Sequence, residues 1–217
     1  MRRLRRGLLS AAEVVQDDLQ EGGTRYRAAM VTTTYRPGAE WSPLDLAGSL
    51  KCLREWARRR RIWVRYVWRL EFTARGVPHY HVVVWLPRGW TMPLWDRAGW
   101  WSRGMTNAQW ARRAVGYCAK YASAASDWPP GTRGTAHARW WGCGGLTSAL
   151  RMRARWRAAP AWLRELAWDH DTPLRREGSR WRVGAWLIRS PWRVLEVAGG
   201  LLQFEWRGWG DGAAELV

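Results

Sequence analysis

The sequence predicts an α+β protein: a central antiparallel sheet with flanking helices, followed by a small C-terminal extension. Three observations predict it. Two neighbouring stretches, Ile62–Phe72 and Pro78–Leu86, alternate apolar and polar residues with period two. A short glycine-containing link, Thr73–Val77, joins them as a hairpin. Helix-start signatures stand on either side of the pair, at Ser42-Pro43-Leu44-Asp45 and at Thr106-Asn107-Ala108-Gln109. At 217 residues the chain can bury one good core with a modest appendage. This divides it into residues 1–25, a main domain over 26–145 and an extension over 146–217.

Residues 1–25 read as a basic arm and short helix that stops at Glu21-Gly22-Gly23, the arm either meeting phosphates or staying disordered. Ala28–Tyr35 is rich in β-branched residues and leaves into Pro37-Gly38, so it is a strand. Ser42 is an N-cap with Pro43 at the first helical position, and the helix it opens runs to about Arg60. In the hairpin, Gly76 suits the left-handed position of a three-residue loop. With Thr73 opposite Val77, one face pairs Leu70 with Tyr80, Trp68 with Val82, Tyr66 with Val84 and Val64 with Leu86, all apolar on apolar. The other face carries Arg65, Arg69 and Glu71, and puts Glu71 directly across from His79, with His81 next along.

Residues 87–105, rich in Trp, Gly and Pro, read as a loop. Thr106 is expected to open a helix running to about Ser126, stopped by Asp127-Trp128-Pro129-Pro130-Gly131. Leu146–Trp168 reads as one or two basic helices broken at Pro160, and Arg180–Trp206 as a hairpin. There is no internal repeat and no heptad pattern.

The composition narrows the partner. The chain has 36 Lys+Arg against 18 Asp+Glu, a formal charge of +18, which points to a polyanion and first to nucleic acid. Only Lys51 and Lys120 are lysines, so a lysine that persists in this arginine-saturated chain is a candidate for chemistry arginine cannot do. Cys52, Cys118 and Cys143 form no C-x-x-C pair, and their odd number fits a reducing cytosol. Gly7-Leu8-Leu9 is too short an apolar run for an export signal, and no stretch reads as a transmembrane span, so no membrane partner is expected.

Two clusters carry chemistry. Glu71, His79 and His81 converge from adjacent strands, and two imidazoles with a carboxylate make a three-ligand set for a divalent ion, Mg²⁺ or Mn²⁺. The plainer reading leaves both histidines as half-exposed strand residues meeting phosphates. Tyr117, Lys120 and Tyr121 share one helix face. Trp110, Ala114, Tyr117 and Tyr121 also form an ordinary apolar stripe; the rare Lys120 among them favours a functional face.

These motifs, Glu71, then Gly76-Val77-Pro78-His79-Tyr80-His81, then Tyr117-Cys118-Ala119-Lys120-Tyr121, resemble the HUH endonucleases that initiate rolling-circle replication. More narrowly, they resemble the two-tyrosine branch typified by the gene A replication proteins of small bacteriophages. The resemblance covers roughly residues 28–125, with Val31-Thr32-Thr33-Thr34-Tyr35 similar to the family's first strand motif and Arg139-Trp140-Trp141-Gly142 a looser likeness. It implies an HUH-type nuclease domain with helices largely on one side of the sheet and the metal site on the open face. It further implies that Glu71, His79 and His81 hold Mg²⁺ or Mn²⁺ and that Tyr117 or Tyr121 attacks single-stranded DNA at a replication origin, leaving a 5′-phosphotyrosine and a 3′-hydroxyl. Lys120 would stabilise phosphate charge or take the tyrosine's proton. Arg65, Arg69 and Arg113 are the arginines expected to contact the nucleic acid. Host helicase and polymerase would be partners, in the bacterial cytoplasm. A transposase or relaxase of the same superfamily, and a non-catalytic single-strand-binding protein, are the alternatives.

Overall fold

The structure, a computed structural model, describes residues 2–23, 25–73, 75–123, 139–166, 171–197, 201–206 and 214–216. The chain divides into two compact units, Met1–Ala154 and Arg155–Val217. The first is α+β. Its elements are α1 (Arg2–Glu21), β1 (Tyr26–Tyr35), α2 (Asp45–Arg59), β2 (Arg65–Phe72), β3 (Pro78–Pro87), β4 (Gly104–Ala111), α3 (Ala114–Ser123), β5 (Trp141–Gly144) and the start of α4 (Ser148–Ala158). The five strands form one antiparallel sheet in the order β4-β1-β3-β2-β5.

The β2–β3 hairpin has the register its alternation predicts: Leu70 faces Tyr80, Trp68 faces Val82, Tyr66 faces Val84 and Glu71 faces His79. The Thr73 N–H donates to the Val77 carbonyl at 2.9 Å, and Gly76 closes the loop at φ +73°. α2 begins at Asp45 with Leu44 at its N-cap and no side-chain cap, two residues later than the expected start at Pro43; Ser42 and Asp45 instead tie together the turn that leads into it. The Ser42 N–H donates to Asp45 Oδ2 at 2.9 Å, and Ser42 Oγ accepts from the Leu44 N–H at 3.2 Å.

One face of the sheet is apolar along β2 and β3, with the buried Thr33 of β1 the polar residue set into it. Ala29, Val31, Tyr66, Leu70, Tyr80, Val82 and Val84 pack there against Leu46, Leu50, Leu53 and Ala57 of α2. The Trp-rich segment 88–103 also folds back over this face, burying Trp95 and Trp101 almost fully. At about 25 cal/mol per Å² of apolar surface removed from water, burial of this layer stabilises the fold. On the opposite face Ala28, Val67, Val83 and Trp85 meet Leu8, Ala11, Ala12 and Val15 of α1, Ala114 and Cys118 of α3, and Leu150 of α4.

Three further expectations are corrected. Residues 106–109 do not open a helix: they lie in β4, pairing with β1 so that Thr106 faces Thr33 and Asn107 faces Thr32. Without β4 the β1 ladder would be left as an open edge, and satisfying it outweighs a local capping signal. The helix begins only at Ala114. The helices also lie on both faces of the sheet, not largely on one. Finally, residues 2–21 form a single long helix whose apolar stripe is part of the second core, so the amino-terminal segment is structural rather than a loose arm.

β5, unanticipated from the sequence, lines up beside β2 through glycines. A side chain at Gly142 would collide with the Trp68 indole and one at Gly144 with the Tyr66 ring.

In the second unit, α4 ends before Pro160 and α5 (Ala161–Leu166) follows it, as the break at proline predicts. The sheet there runs β11 (Ala214–Leu216), β8 (Trp186–Arg189), β7 (Arg180–Val183), β6 (Leu174–Glu177), and β9 (Trp192–Val197) pairs with β10 (Leu201–Trp206). The expected single hairpin over 180–206 is therefore two, β7–β8 and β9–β10. Trp156 anchors this unit: it is 1% exposed and its indole N–H donates to the Thr172 carbonyl at 2.9 Å.

Candidate active site

Along β1, β2 and β3 the second face changes character. Where α1 covers it the residues are apolar. Toward the hairpin end they become Thr32 and Thr34 on β1, Arg69 and Glu71 on β2, and His79 and His81 on β3. Period-two alternation puts all six on one side, and antiparallel pairing sets Thr32 beside His81 and Thr34 beside His79. Each histidine is held from behind. Thr32 Oγ1 lies 3.2 Å from His81 Nδ1 and Thr34 Oγ1 lies 3.3 Å from His79 Nδ1. That leaves the Nε2 atoms for the site, and His81 Nε2 is 3.0 Å from Glu71 Oε2.

Burial sets the electrostatics. It pushes His81 down to about 4, helped by the neighbouring His79, Lys120 and Arg69 charges, and it also lowers His79. Burial raises Glu71, against the opposing pull of Arg69 and Lys120. With Glu71 ionised, the arrangement reads as a neutral His81 donating through Nε2–H to the carboxylate while Nδ1 accepts from the Thr32 hydroxyl. The threonine oxygen can equally accept from an Nδ1–H, so it can support the other tautomer and release Nε2 as a ligand.

The donor set suits a divalent cation, one carboxylate and two threonine-anchored imidazoles. Among the described residues, however, no three His, Cys, Asp or Glu side chains are already gathered into a closed metal cluster. Glu71 and His81 are bonded to each other, and the His79 ring stands 6.4 Å from that of His81. A cation held here would replace the Glu71–His81 contact.

α3 brings the second cluster to this end of the sheet. The Tyr121 ring stacks on His81, with centroids 3.8 Å apart and planes 15° from parallel. Burial raises its hydroxyl pKa, with Glu71 and then Tyr117 adding to the effect. Lys120 is exposed, with Nζ 5.6 Å from the Tyr121 ring centre. Tyr117 packs against the α1 core, close enough for its hydroxyl to act on Tyr121. The structure thus brings Glu71, His79, His81, Lys120 and Tyr121 together, with Tyr117 one helical turn before Tyr121 on α3.

The three arginines expected to touch nucleic acid are placed differently from one another. Arg65 pairs with Asp18 of α1. Arg69 is 2% exposed; its guanidinium donates at 3.4 Å to the Tyr121 and Trp140 carbonyls and lies 4.9 Å from the Trp140 ring. It tethers the last described turn of α3 to the residue preceding β5, beneath the site rather than out toward a ligand. Arg113 is exposed at the start of α3. Sequence reasoning misses Thr32, Thr34 and the tethering role of Arg69. The threonine alternation on β1 is a usable signal, but only once β1 is known to pair with β3.

The fold and site define an α+β domain that presents imidazoles, a carboxylate, an ammonium and a phenol together at one end of an antiparallel sheet. Residues 28–126 match the family model of the replication-associated protein ORF2/gene 2 protein, a segment running from β1 past α3 and holding every residue of this site. The match indicates a replication-associated role. No curated protein and no solved structure matches the chain. Among the described residues no helix is long and apolar enough to cross a membrane.

Proposed function

We propose that the protein is a replication initiator that nicks single-stranded DNA by tyrosine transesterification, with Tyr121 as the attacking residue. The observation that carries this reading is the stacking of Tyr121 on His81, itself hydrogen-bonded to Glu71, at the end of a segment that matches a replication-associated family. Tyr121 Oη would attack phosphorus in line. The bond from phosphorus to the 3′ oxygen breaks, the leaving oxygen takes a proton to become a 3′-hydroxyl, and the 5′ phosphate stays on the tyrosine. Because the bond energy is retained, a hydroxyl can later reverse the linkage.

The protein's own residues meet two difficulties. Burial and the Glu71 charge hold the Tyr121 proton on, and an incoming phosphodiester adds negative charge. Lys120, its Nζ facing the Tyr121 ring, would offset that charge as an ammonium or, as a neutral amine, accept the proton. His79 and His81 stay neutral near pH 7 and so present lone pairs rather than positive charge. Glu71, His79 and His81 would hold a divalent cation, Mg²⁺ or Mn²⁺, which when bound would screen the scissile phosphate and make it a better electrophile. The second tyrosine, Tyr117, one turn earlier on α3, would serve the rejoining step.

The test is a covalent adduct. Incubated with Mn²⁺ and a single-stranded oligonucleotide carrying a replication origin, the protein should yield a species that survives denaturation. Tyr121→Phe should abolish it in the first turnover, while Tyr117→Phe should retain it. An adduct that persists in the Tyr121→Phe variant would reject the assignment. No adduct with any origin sequence would favour a non-catalytic single-strand binder.

A further inference from the structure

At the opposite end of β1 from Thr34, where β1 begins and β3 ends, the first unit carries a groove of about 850 Å³. The Arg88 N–H donates to the Arg25 carbonyl at 2.8 Å, so these two arginines are fixed side by side. Arg25, Arg27, Arg88 and Arg112 all line the groove and are all exposed, and its lining includes no Asp or Glu. The acids on the nearby last turns of α1 are directed elsewhere, Asp18 pairing with Arg65, Glu21 with Arg153, and Asp17 also acting on Arg153. Among the described residues none of the four groove arginines forms an ion pair. Trp110, 38% exposed on the edge strand β4, forms part of the same wall, and the Arg27 guanidinium lies 3.7 Å from its ring centre.

Four guanidiniums without a countercharge beside an exposed indole match the two things an unpaired nucleic acid strand offers, phosphates and base faces. We infer that this groove is a second binding site for single-stranded DNA, separated from the Tyr121 site by about 20 Å, since Thr34 is seven residue steps along β1 from Arg27 at ~3.3 Å each. The Arg27–Trp110 pair is the stacking platform; Arg25, Arg88 and Arg112 take the backbone. A site so placed would hold the strand remote from the cut, independently of the reacting phosphate. The choice of DNA over RNA rests on the replication reading above; the groove's charge and aromatic character do not.

The test is a salt titration of binding to fluorescein-labelled oligothymidine in EDTA, read by anisotropy, with the full-length protein. The triple variant Arg27→Gln, Arg88→Gln, Arg112→Gln should lower the slope of log K against log salt by about 2, at about 0.7 for each phosphate no longer neutralised. Trp110→Ala should weaken binding about tenfold and Trp110→Phe should restore most of it, which a merely unfolded edge strand would not do. A control triple at the C-terminal end of α2 and its cap, Arg58→Gln, Arg59→Gln, Arg60→Gln, should change the slope less. Equal slopes for the groove triple and wild type, or for the two triples, would overturn the inference. So would loss of oligouridine binding with oligothymidine binding intact, which would make the groove an RNA site. Because no cleavage is read, a wild-type protein that forms no tyrosine adduct would sink the nicking proposal while leaving this result standing.

Discussion

The two faces of the central sheet are made by the same strands, yet they are put to different uses. On the α2 side every inward residue from Val84 to Tyr80 on β3, and from Tyr66 to Leu70 on β2, belongs to an unbroken apolar layer. On the α1 side the layer stops partway, and the remaining positions carry Glu71, His79, His81 and their threonine supports. Alternation makes this possible: a strand residue changed on one face leaves its neighbours on the other untouched. The lesson is that one largely apolar face, with half of the other, secures the sheet and frees the hairpin end for polar groups that would otherwise cost stability.

The sharpest way to break that comparison is to change each face separately. On the site face, Glu71→Ala or His81→Ala should abolish adduct formation, as should EDTA, while salt-sensitive DNA binding and the urea midpoint stay near wild type. On the core face, Leu53→Ala, at a fully buried α2 position, should cost about 2–5 kcal/mol in urea unfolding. A Glu71→Ala protein destabilised as much as Leu53→Ala would mean that both faces hold the sheet together equally.

How much of this is legible in the sequence follows the range of the interactions. The hairpin register, and with it Glu71 opposite His79, is local and readable from alternation and one glycine. The pairing of β1 with β3 and β4 is not local, so spacing cannot join Thr32 and Thr34 to the histidines, and Thr106–Gln109 carries the signature of a helix start. The stripe Leu8, Ala11, Ala12, Val15, Leu19 has helical spacing, yet Arg2, Arg3, Arg5 and Arg6 draw the reading toward a loose basic arm. Tyr121 and Lys120 stand out by residue type. That Tyr121 rather than Tyr117 meets His81 depends on where α3 packs, which spacing alone does not convey. The expected helix end near Ser126 and its stop at Asp127–Gly131 lie outside the described residues.

A smaller effect should sharpen the contrast through pH. His81 titrates near 6.5 in the unfolded chain and near 4 in the folded one, so as pH falls from 6.5 toward 4 the unfolded state takes up the proton first. Stability is lost across that window, by roughly 1–3 kcal/mol from this group. Glu71, raised by burial, works in the opposite sense, because the folded state binds its proton first and gains from it. His81→Asn should therefore lose less stability than wild type between pH 6.5 and 4, measured by urea unfolding in EDTA. A variant with an undiminished slope would place the titrating group elsewhere.

The smallest expected change concerns Lys120, which the composition singles out and the structure sets beside Tyr121. Its ammonium is exposed, so its charge is screened, and replacing it by another cation preserves most of what charge alone contributes. A lysine can also give up a proton, and its compact ammonium fits where a planar guanidinium does not. Lys120→Arg should therefore slow single-turnover adduct formation by about tenfold, well short of the roughly 10²–10⁴ that a general base contributes. The lost rate should be recovered in part at higher pH, where the tyrosine needs less help to ionise. If the arginine variant reacts at the wild-type rate at every pH, lysine contributes only positive charge here, and its scarcity in an arginine-rich chain carries no chemical meaning.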